Sequence, residues 1–485
     1  MPLQLNDQQL LETRAFVGGE WETAVNGFDV LNPATGELIA SVADGGVSAI
    51  KRAIDVAHLA QKQWSTKTAR ERCAVLLNWQ QLMLDNLEDL AQILTAEMGK
   101  PIGEARGEIA YGASFIQWFA EEGRRIYGDV IPPHLADKRI VVLKQPIGVV
   151  GSITPWNFPN AMIARKVAPA LAAGCAFVGR PAEKTPLSAL AMAVLADRAG
   201  MPKGVFSIVP GTDAKGMGLE LCTNPKVRKL TFTGSTDVGR ILMRQCAQDI
   251  KKLSLELGGN APFIVFDDAD LDKAVDGVLI AKYRNSGQTC VCANRIYVHR
   301  PVAEAFSTKL AQATGSLKVG NGASTQTAIG PLIDDKALAK VEAHVNDAVA
   351  KGARVLTGGK RSELGGNFYE PTVLADVKAG MIILEEETFG PIAPIVIFDT
   401  VEEVVAAANS SEFGLAAYFY ARDVSRVWKV AEALEAGMVG INTGLISTAE
   451  APFGGIKSSG LGREGSKYGI EDYLEIKYLC LGLDA

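Results

Sequence analysis

Apolar residues change their spacing along the chain, and each change predicts a different element. Between Val47 and Gly99 they recur at helical intervals: Ala49, Ala53, Ala57 and Ala60 form one stripe, and Leu76, Leu77, Leu84 and Leu87 form another. A further helix is predicted over 109–126, with Ile116, Trp118 and Phe119 in its packed side. Core packing accounts for all of these. Two extended pieces follow, 128–133 and 139–145, the second with the run Ile140-Val141-Val142-Leu143. They sit awkwardly between a helix and the next strand, so the excursion is expected to leave its domain and pair with another subunit.

From Gly148 strand and helix alternate. Strands are predicted over 149–153, 175–179, 205–209, 229–233 and 253–257, and helices over 161–173 and 187–198. The second helix carries Leu187, Leu190, Ala191, Val194 and Leu195 on one face. After Gly259 the alternation resumes, with strands over 262–266, 370–374 and 392–398 and helices over 271–283, 302–315, 335–351 and 402–409. Residues 361–367 form a glycine-rich surface loop, the tail from Glu450 is dense in glycine, and 473–477 alternates like a strand. The fold class is therefore α/β, with parallel sheets flanked by helices and ligands expected beyond the carboxyl ends of the strands.

At 485 residues the chain exceeds what one core supports, so two or three domains are expected. The net charge of −6 and the lack of a basic run argue against nucleic acid as a partner. The first residues lack the apolar core of a signal peptide, and no apolar run reaches the ~18 residues that span a bilayer. Cys73, Cys175, Cys222, Cys246 and Cys480 are scattered without a disulfide framework, which fits a reducing compartment; the cytoplasm is the expected location. The four histidines are isolated, and no metal-binding constellation appears.

Candidate chemistry centres on Gly287-Gln288-Thr289-Cys290-Val291-Cys292. The cysteine spacing is too tight for an ordinary disulfide and wrong for a zinc pair. Gly287 and its hydrophilic neighbours predict an accessible loop, not the buried inert site of a typical free cysteine, so Cys290 is the leading nucleophile. Four further motifs sit at strand ends. In Thr233-Gly234-Ser235-Thr236 a strand opens into a helix whose free N–H groups suit phosphate, although a simple capped helix is about as good a reading. Glu256, between Leu255 and Leu257, suits a general base with a raised pKa. Asn157, in Pro155-Trp156-Asn157-Phe158-Pro159, offers an N–H₂ to an oxyanion, but alone reads better as a turn residue. Glu183, in Arg180-Pro181-Ala182-Glu183, suits ribose hydroxyls or, equally, the acidic first turn of a helix.

Taken together these residues resemble the NAD(P)-dependent aldehyde dehydrogenase superfamily. The likeness runs from Asn32-Pro33-Ala34-Thr35-Gly36 to the last strand, with Pro155 to Pro159, residues 232–239, 255–259 and 287–290, and Glu387-Thr388-Phe389-Gly390-Pro391 in the family's order. Within it the closest likeness is to the branch that oxidises succinate semialdehyde, carried by residues 284–292, 260–266 and 459–469. The resemblance implies a Rossmann-like cofactor domain over 1–122 and 147–258 and an α/β catalytic domain over 259–465. It also implies a small β oligomerisation arm over 123–146 and 466–485, in a homodimer or homotetramer.

It further implies that Cys290 attacks the aldehyde carbon, that Asn157 and the Cys290 N–H hold the oxyanion, and that Glu256 activates water to release the acid. Gly234 and Ser235 would bind the pyrophosphate, and Glu387 and Phe389 the nicotinamide end. Trp156, Arg180 and Glu183 would lie along the adenosine half, with Ile153, Pro155, Gly239 and Leu257 completing the cofactor set. Arg165, Arg284 and Ser447 would hold the substrate's distal carboxylate, and Cys292 would form a reversible disulfide with Cys290. One departure concerns Arg180, where the family usually has lysine. Its fork suits the 2′-phosphate of NADP, whereas Glu183 repels that phosphate, so NAD is favoured with some NADP use. Glutarate semialdehyde is the rival substrate, and a non-catalytic structural or redox-sensing member of the family is the rival class.

Overall fold

The structure is a computed structural model and describes residues 3–483. The helical opening resolves into α1 (Gly46–Trp64), α2 (Ala69–Asp85), α3 (Leu87–Met98) and α4 (Ile102–Glu122). A capping box starts α2: Thr68 accepts from the Glu71 N–H, and the Glu71 carboxylate returns to Thr68 N. Gly99, at φ +91°, ends α3 in the left-handed conformation that a side chain would strain. Ala49, Ala53 and Ala57 are buried as expected. In α2 the buried side is Cys73, Leu76, Trp79 and Met83, while Leu84 is exposed. Eight residues beyond Leu76 it has turned roughly 80° away from the core, because a helix advances about 100° per residue.

The first sheet has eight strands, in the order Glu20–Glu22, Ala15–Val17, Phe206–Ile208, Ala176–Arg180, Val149–Ile153, Val227–Thr233, Lys252–Glu256, Gly460–Leu461. The five from Phe206 to Glu256 run parallel, and the outer pairings are antiparallel. Helices α5 (Ala161–Ala173), α6 (Leu187–Arg198), α7 (Ala214–Thr223) and α8 (Thr236–Cys246) connect them. After Val149–Ile153 the chain builds strands on one side and then crosses to Val227–Thr233 on the other. The resulting switch in strand order opens a crevice at the carboxyl ends of these two neighbours. Both motifs that follow them, Pro155 to Asn157 and Gly234-Ser235, lie there.

The second sheet orders seven strands as Arg354–Thr357, Thr372–Ala375, Ile392–Phe398, Ala293–His299, Ala261–Val265, Ala416–Tyr420, Met438–Ile441. The helix predicted over 271–283 is not continuous. α9 covers Leu271–Val278, Leu279–Tyr283 widens into a π turn, and Asn285 and Ser286 take φ of +54° and +56°. The widened turn and the left-handed pair redirect the chain into the cysteine loop, a common use of π turns.

Lys138–Pro146 pairs with Asp129–Ile131 on one side and with Leu474–Gly482 on the other, from Leu474↔Pro146 to Gly482↔Lys138. Lys138–Pro146 thus has a neighbouring strand on each side within its own chain. Val130, Ile131, Ile476, Tyr478, Leu479 and Leu481 stand exposed on this three-stranded sheet. No helix among the described residues is long and apolar enough to cross a membrane.

Candidate active site

The cysteine loop is not the solvated loop its hydrophilic residues suggest. Asn285, Ser286, Gln288 and Thr289 are all buried. Asn285 N donates to Glu104 Oε2 at 2.7 Å, Ser286 Oγ to Gly330 O at 2.9 Å, and Gln288 Oε1 accepts from Ile333 N at 2.9 Å. These residues sit inside because nearly all their polar groups find partners there; Asn285 Oδ1 is left without one among the described residues. A Cβ on Gly287 would lie 2.2 Å from Gly390 O, so the loop closes on glycine. Cys290 itself is half-buried. Burial pushes its thiol up to about 12; Arg165 and Arg284 pull it down, and Glu387 and Glu256 add to the rise.

Two cavities meet at this sulfur. One, of about 240 Å³, is lined by Pro155, Trp156, Asn157, Gly234, Ser235, Leu257, Glu387 and Phe389. The other, of about 460 Å³, holds Arg165, Arg284, Ser447, Tyr111 and Phe453. Their lining residues have Cys290 and Met162 in common. Seven of the eleven residues expected at the cofactor line the smaller cavity, and the three expected at the substrate line the larger one.

The smaller cavity brings together a helix start, a buried carboxylate and an aromatic pair. Ser235, on the cavity wall, is the N-cap of α8 and its side chain makes no capping bond, so the first N–H groups of the helix have no side-chain cap. A Cβ on Gly239 would come within 2.5 Å of Leu257 Cδ2, so glycine lets α8 pack against Leu257. Glu387 Oε1 accepts from Gly259 N at 3.1 Å, and burial lifts its carboxyl to about 7. Phe389, at φ +54°, meets Trp156 edge-on with ring centroids 5.6 Å apart. Asn157 is buried; its Nδ2 donates to Gln288 O at 3.0 Å, and its Oδ1 has no partner. Lys100 fixes the turn from below, donating to Asn157 O at 2.8 Å while paired with Glu108.

Several expected residues lie off these walls. Ile153 is buried beneath the cavity, and Cys292 is buried with its Sγ donating to Lys282 O at 3.4 Å; all seven cysteines are free. Arg180 is buried and paired with the half-exposed Glu183. Glu183 does not cap α6; the buried Glu97 does, accepting from Leu187 N and Ser188 N at 2.8 Å each. Glu256, fully buried, turns its Oε1 toward Gly454 and leaves Oε2 unpartnered. Desolvation, then the nearby Glu464 charge, raise its pKa well above the usual carboxylate range.

Glu464 is the buried charged neighbour of the site that pattern reading missed. It pairs with both Arg165 Nε and Lys166 Nζ, all three buried, and Lys166 also donates to Thr233 Oγ1 at 2.6 Å. Although desolvation opposes it, the pull of Arg165 and Lys166 holds the Glu464 carboxyl below its ordinary value. The Arg165 guanidinium also stacks over Phe453, 4.0 Å from the ring centroid, and its Nη2 has no partner. A signal was available: Arg165-Lys166 are the sole charges in the otherwise apolar α5, and adjacent buried cations require an anion.

The sequence model of the aldehyde dehydrogenase family matches residues 21–479. The chain belongs to the aldehyde dehydrogenase family. Succinate-semialdehyde dehydrogenase [NADP(+)] GabD of Escherichia coli (strain K12) is 62% identical to this aldehyde dehydrogenase over 483 residues, covering 99% of this chain and 100% of the relative. A glutarate-semialdehyde dehydrogenase of Pseudomonas aeruginosa is also 62% identical, over 99% and 100% of the two chains. The crystal structure of succinate-semialdehyde dehydrogenase from Burkholderia pseudomallei superposes with a TM-score of 0.98 at 61% identity, over 99% and 100% of the chains.

Proposed function

We propose that this aldehyde dehydrogenase oxidises succinate semialdehyde to succinate with NAD(P). The observation that carries the reading is the larger cavity, whose lining includes both Cys290 and the two arginines, Arg165 and Arg284. A nucleophile at one wall and cationic forks at another suit an aldehyde that ends in a carboxylate. The Arg284 guanidinium lies over the Phe158 ring, 5.4 Å from its centroid, and makes no hydrogen bond among the described residues. Arg165 keeps Nη2 free. Both can therefore take a new anion.

Cys290 Sγ, as the thiolate, adds to the aldehyde carbon, and the carbonyl oxygen becomes an oxyanion. The second Asn157 Nδ2 hydrogen and the Cys290 N–H stabilise that charge. When bound, NAD(P) supplies the hydride acceptor that converts the adduct on Cys290 to a thioester. Glu256 then takes a proton from water, the resulting hydroxide attacks the thioester, and the thiolate leaves with its electron pair as the acid is released. The raised pKa of Glu256 makes its carboxylate a strong enough base for this step.

The test is cofactor reduction with succinate semialdehyde, glutarate semialdehyde and butanal. The reading expects kcat/KM for succinate semialdehyde to exceed that for butanal by roughly 100-fold, two charged contacts' worth. Equal constants would remove it. Glutarate semialdehyde stands as the second reading because the two kinds of relative are equally similar, and one methylene is worth only ~1–3 kcal/mol.

NAD with some NADP use is the cofactor reading, supported by the partly exposed Glu183 carboxylate. A homodimer or homotetramer joined through the exposed apolar side chains of the three-stranded sheet is the assembly reading, supported by Ile476 and Tyr478 standing bare on one face. Sedimentation of Tyr478→Glu should show smaller particles than the parent; an unchanged coefficient would count against it.

A further inference from the structure

On α4, Glu104, Gly107, Glu108 and Tyr111 recur at helical spacing and line the larger cavity with Cys290. The carboxylates are already engaged. Glu104 accepts from Asn285 N, and Glu108 binds Lys100 and the N–H groups of Asn160 and Ala161. Tyr111 differs. Its ring packs edge-on against Phe115, centroids 4.9 Å apart, but its buried hydroxyl has no hydrogen-bond partner among the described residues. Phenylalanine would keep the ring contact, so nothing in the fold uses the oxygen. A buried donor without an acceptor is destabilising, and such a group in a cavity calls for a ligand that accepts.

The groups around it define that ligand. Arg165 Nη2 is likewise buried and unpartnered, the Arg284 guanidinium lacks a hydrogen bond among the described residues, and both line the same cavity. The charges of both guanidinium groups act on the phenol. A carboxylate has about four lone-pair sites, enough for the two arginines and two neutral O–H groups. We propose that the Tyr111 hydroxyl donates a hydrogen bond to the remote carboxylate of the substrate, as a further donor beside Arg165, Arg284 and Ser447, and thereby sets specificity for anionic aldehydes. This rests on the anionic-aldehyde reading above. Tyr111 takes no part in bond making; it holds the end of the substrate that does not react. Burial keeps the phenol protonated and so able to donate.

The experiment compares Tyr111→Phe with the parent on succinate semialdehyde and on butanal, which keeps the chain and lacks the anion. The expected result is a KM for succinate semialdehyde raised roughly tenfold with kcat nearly unchanged, and both butanal constants unaltered. Titration with succinate should show the same ~tenfold loss of affinity, and thermal unfolding should occur no earlier than in the parent. A preference for succinate semialdehyde over butanal that survives intact in Tyr111→Phe overturns the inference and leaves the substrate reading standing. So does an equal loss on both aldehydes, which would mark the hydroxyl as structural. A parent enzyme without preference removes the substrate reading and this inference together.

Discussion

Arg180 Nη2 lies 2.9 Å from Glu183 Oε2 and 3.0 Å from the carbonyl oxygen of Gly211. The two charges that argue for opposite cofactors are thus joined to each other through one nitrogen of the arginine fork, while its Nε has no partner among the described residues. Replacing Glu183 by glutamine removes the negative charge and loosens the fork. The ratio of kcat/KM for NADP over NAD should then rise about tenfold, the scale of one charge-assisted contact. A ratio that stays at the parental value would show that neither group faces the ribose.

Cys290 and Glu256 both resist ionisation, because burial disfavours their charged forms. Each must lose a proton to work, so activity should climb with pH, and below either pKa the active fraction grows about tenfold per unit. Alkylation of cofactor-free enzyme by iodoacetamide should accelerate from pH 7 to 10 without a plateau, since the thiol sits at about 12. A plateau near neutrality would contradict that environment. Cys290→Ala should lose activity by roughly three orders of magnitude or more. Glu256→Gln should retain one rapid equivalent of reduced cofactor and then turn over ~10²–10⁴ times more slowly. Loss of that initial burst would assign Glu256 to an earlier step.

Arg165 and Arg284 should separate in their effects. Either change to alanine is expected to raise KM for the semialdehyde about tenfold or more while sparing butanal. Only Arg165→Ala also strips Glu464 of a buried partner, which costs roughly 3–5 kcal/mol and should lower Tm by several degrees. Matching melting curves for the two variants would mean that the Arg165–Glu464 pair carries no structural weight.

The alternation of elements was legible because buried parallel strands such as Val149–Ile153 are continuous apolar runs between helices, a pattern set by the sheet itself. The end of α5 was legible because Gly174 stops it in the left-handed conformation, whereas the start of α6 is capped by Glu97, remote in sequence. The cysteine loop was legible as a loop, and its environment was not: the sequence suggests a solvated loop and the fold buries it. Hydrophilic side chains signal a need for hydrogen bonds, and whether water or protein meets it depends on residues such as Glu104 and Ile333, remote in sequence. The same holds for Glu464, whose partners in α5 lie about 300 residues earlier, and for Tyr111, whose free hydroxyl becomes visible only with the cavity around it.

That distance along the chain has a consequence for how the protein is made. When α5 leaves the ribosome, Arg165 and Lys166 are two cations with no counter-ion, and they must stay hydrated until the segment bearing Glu464 has been synthesised. The pocket that would grip the aldehyde's far end is consequently among the last parts of the molecule to become rigid, long after the strands beneath it have been translated.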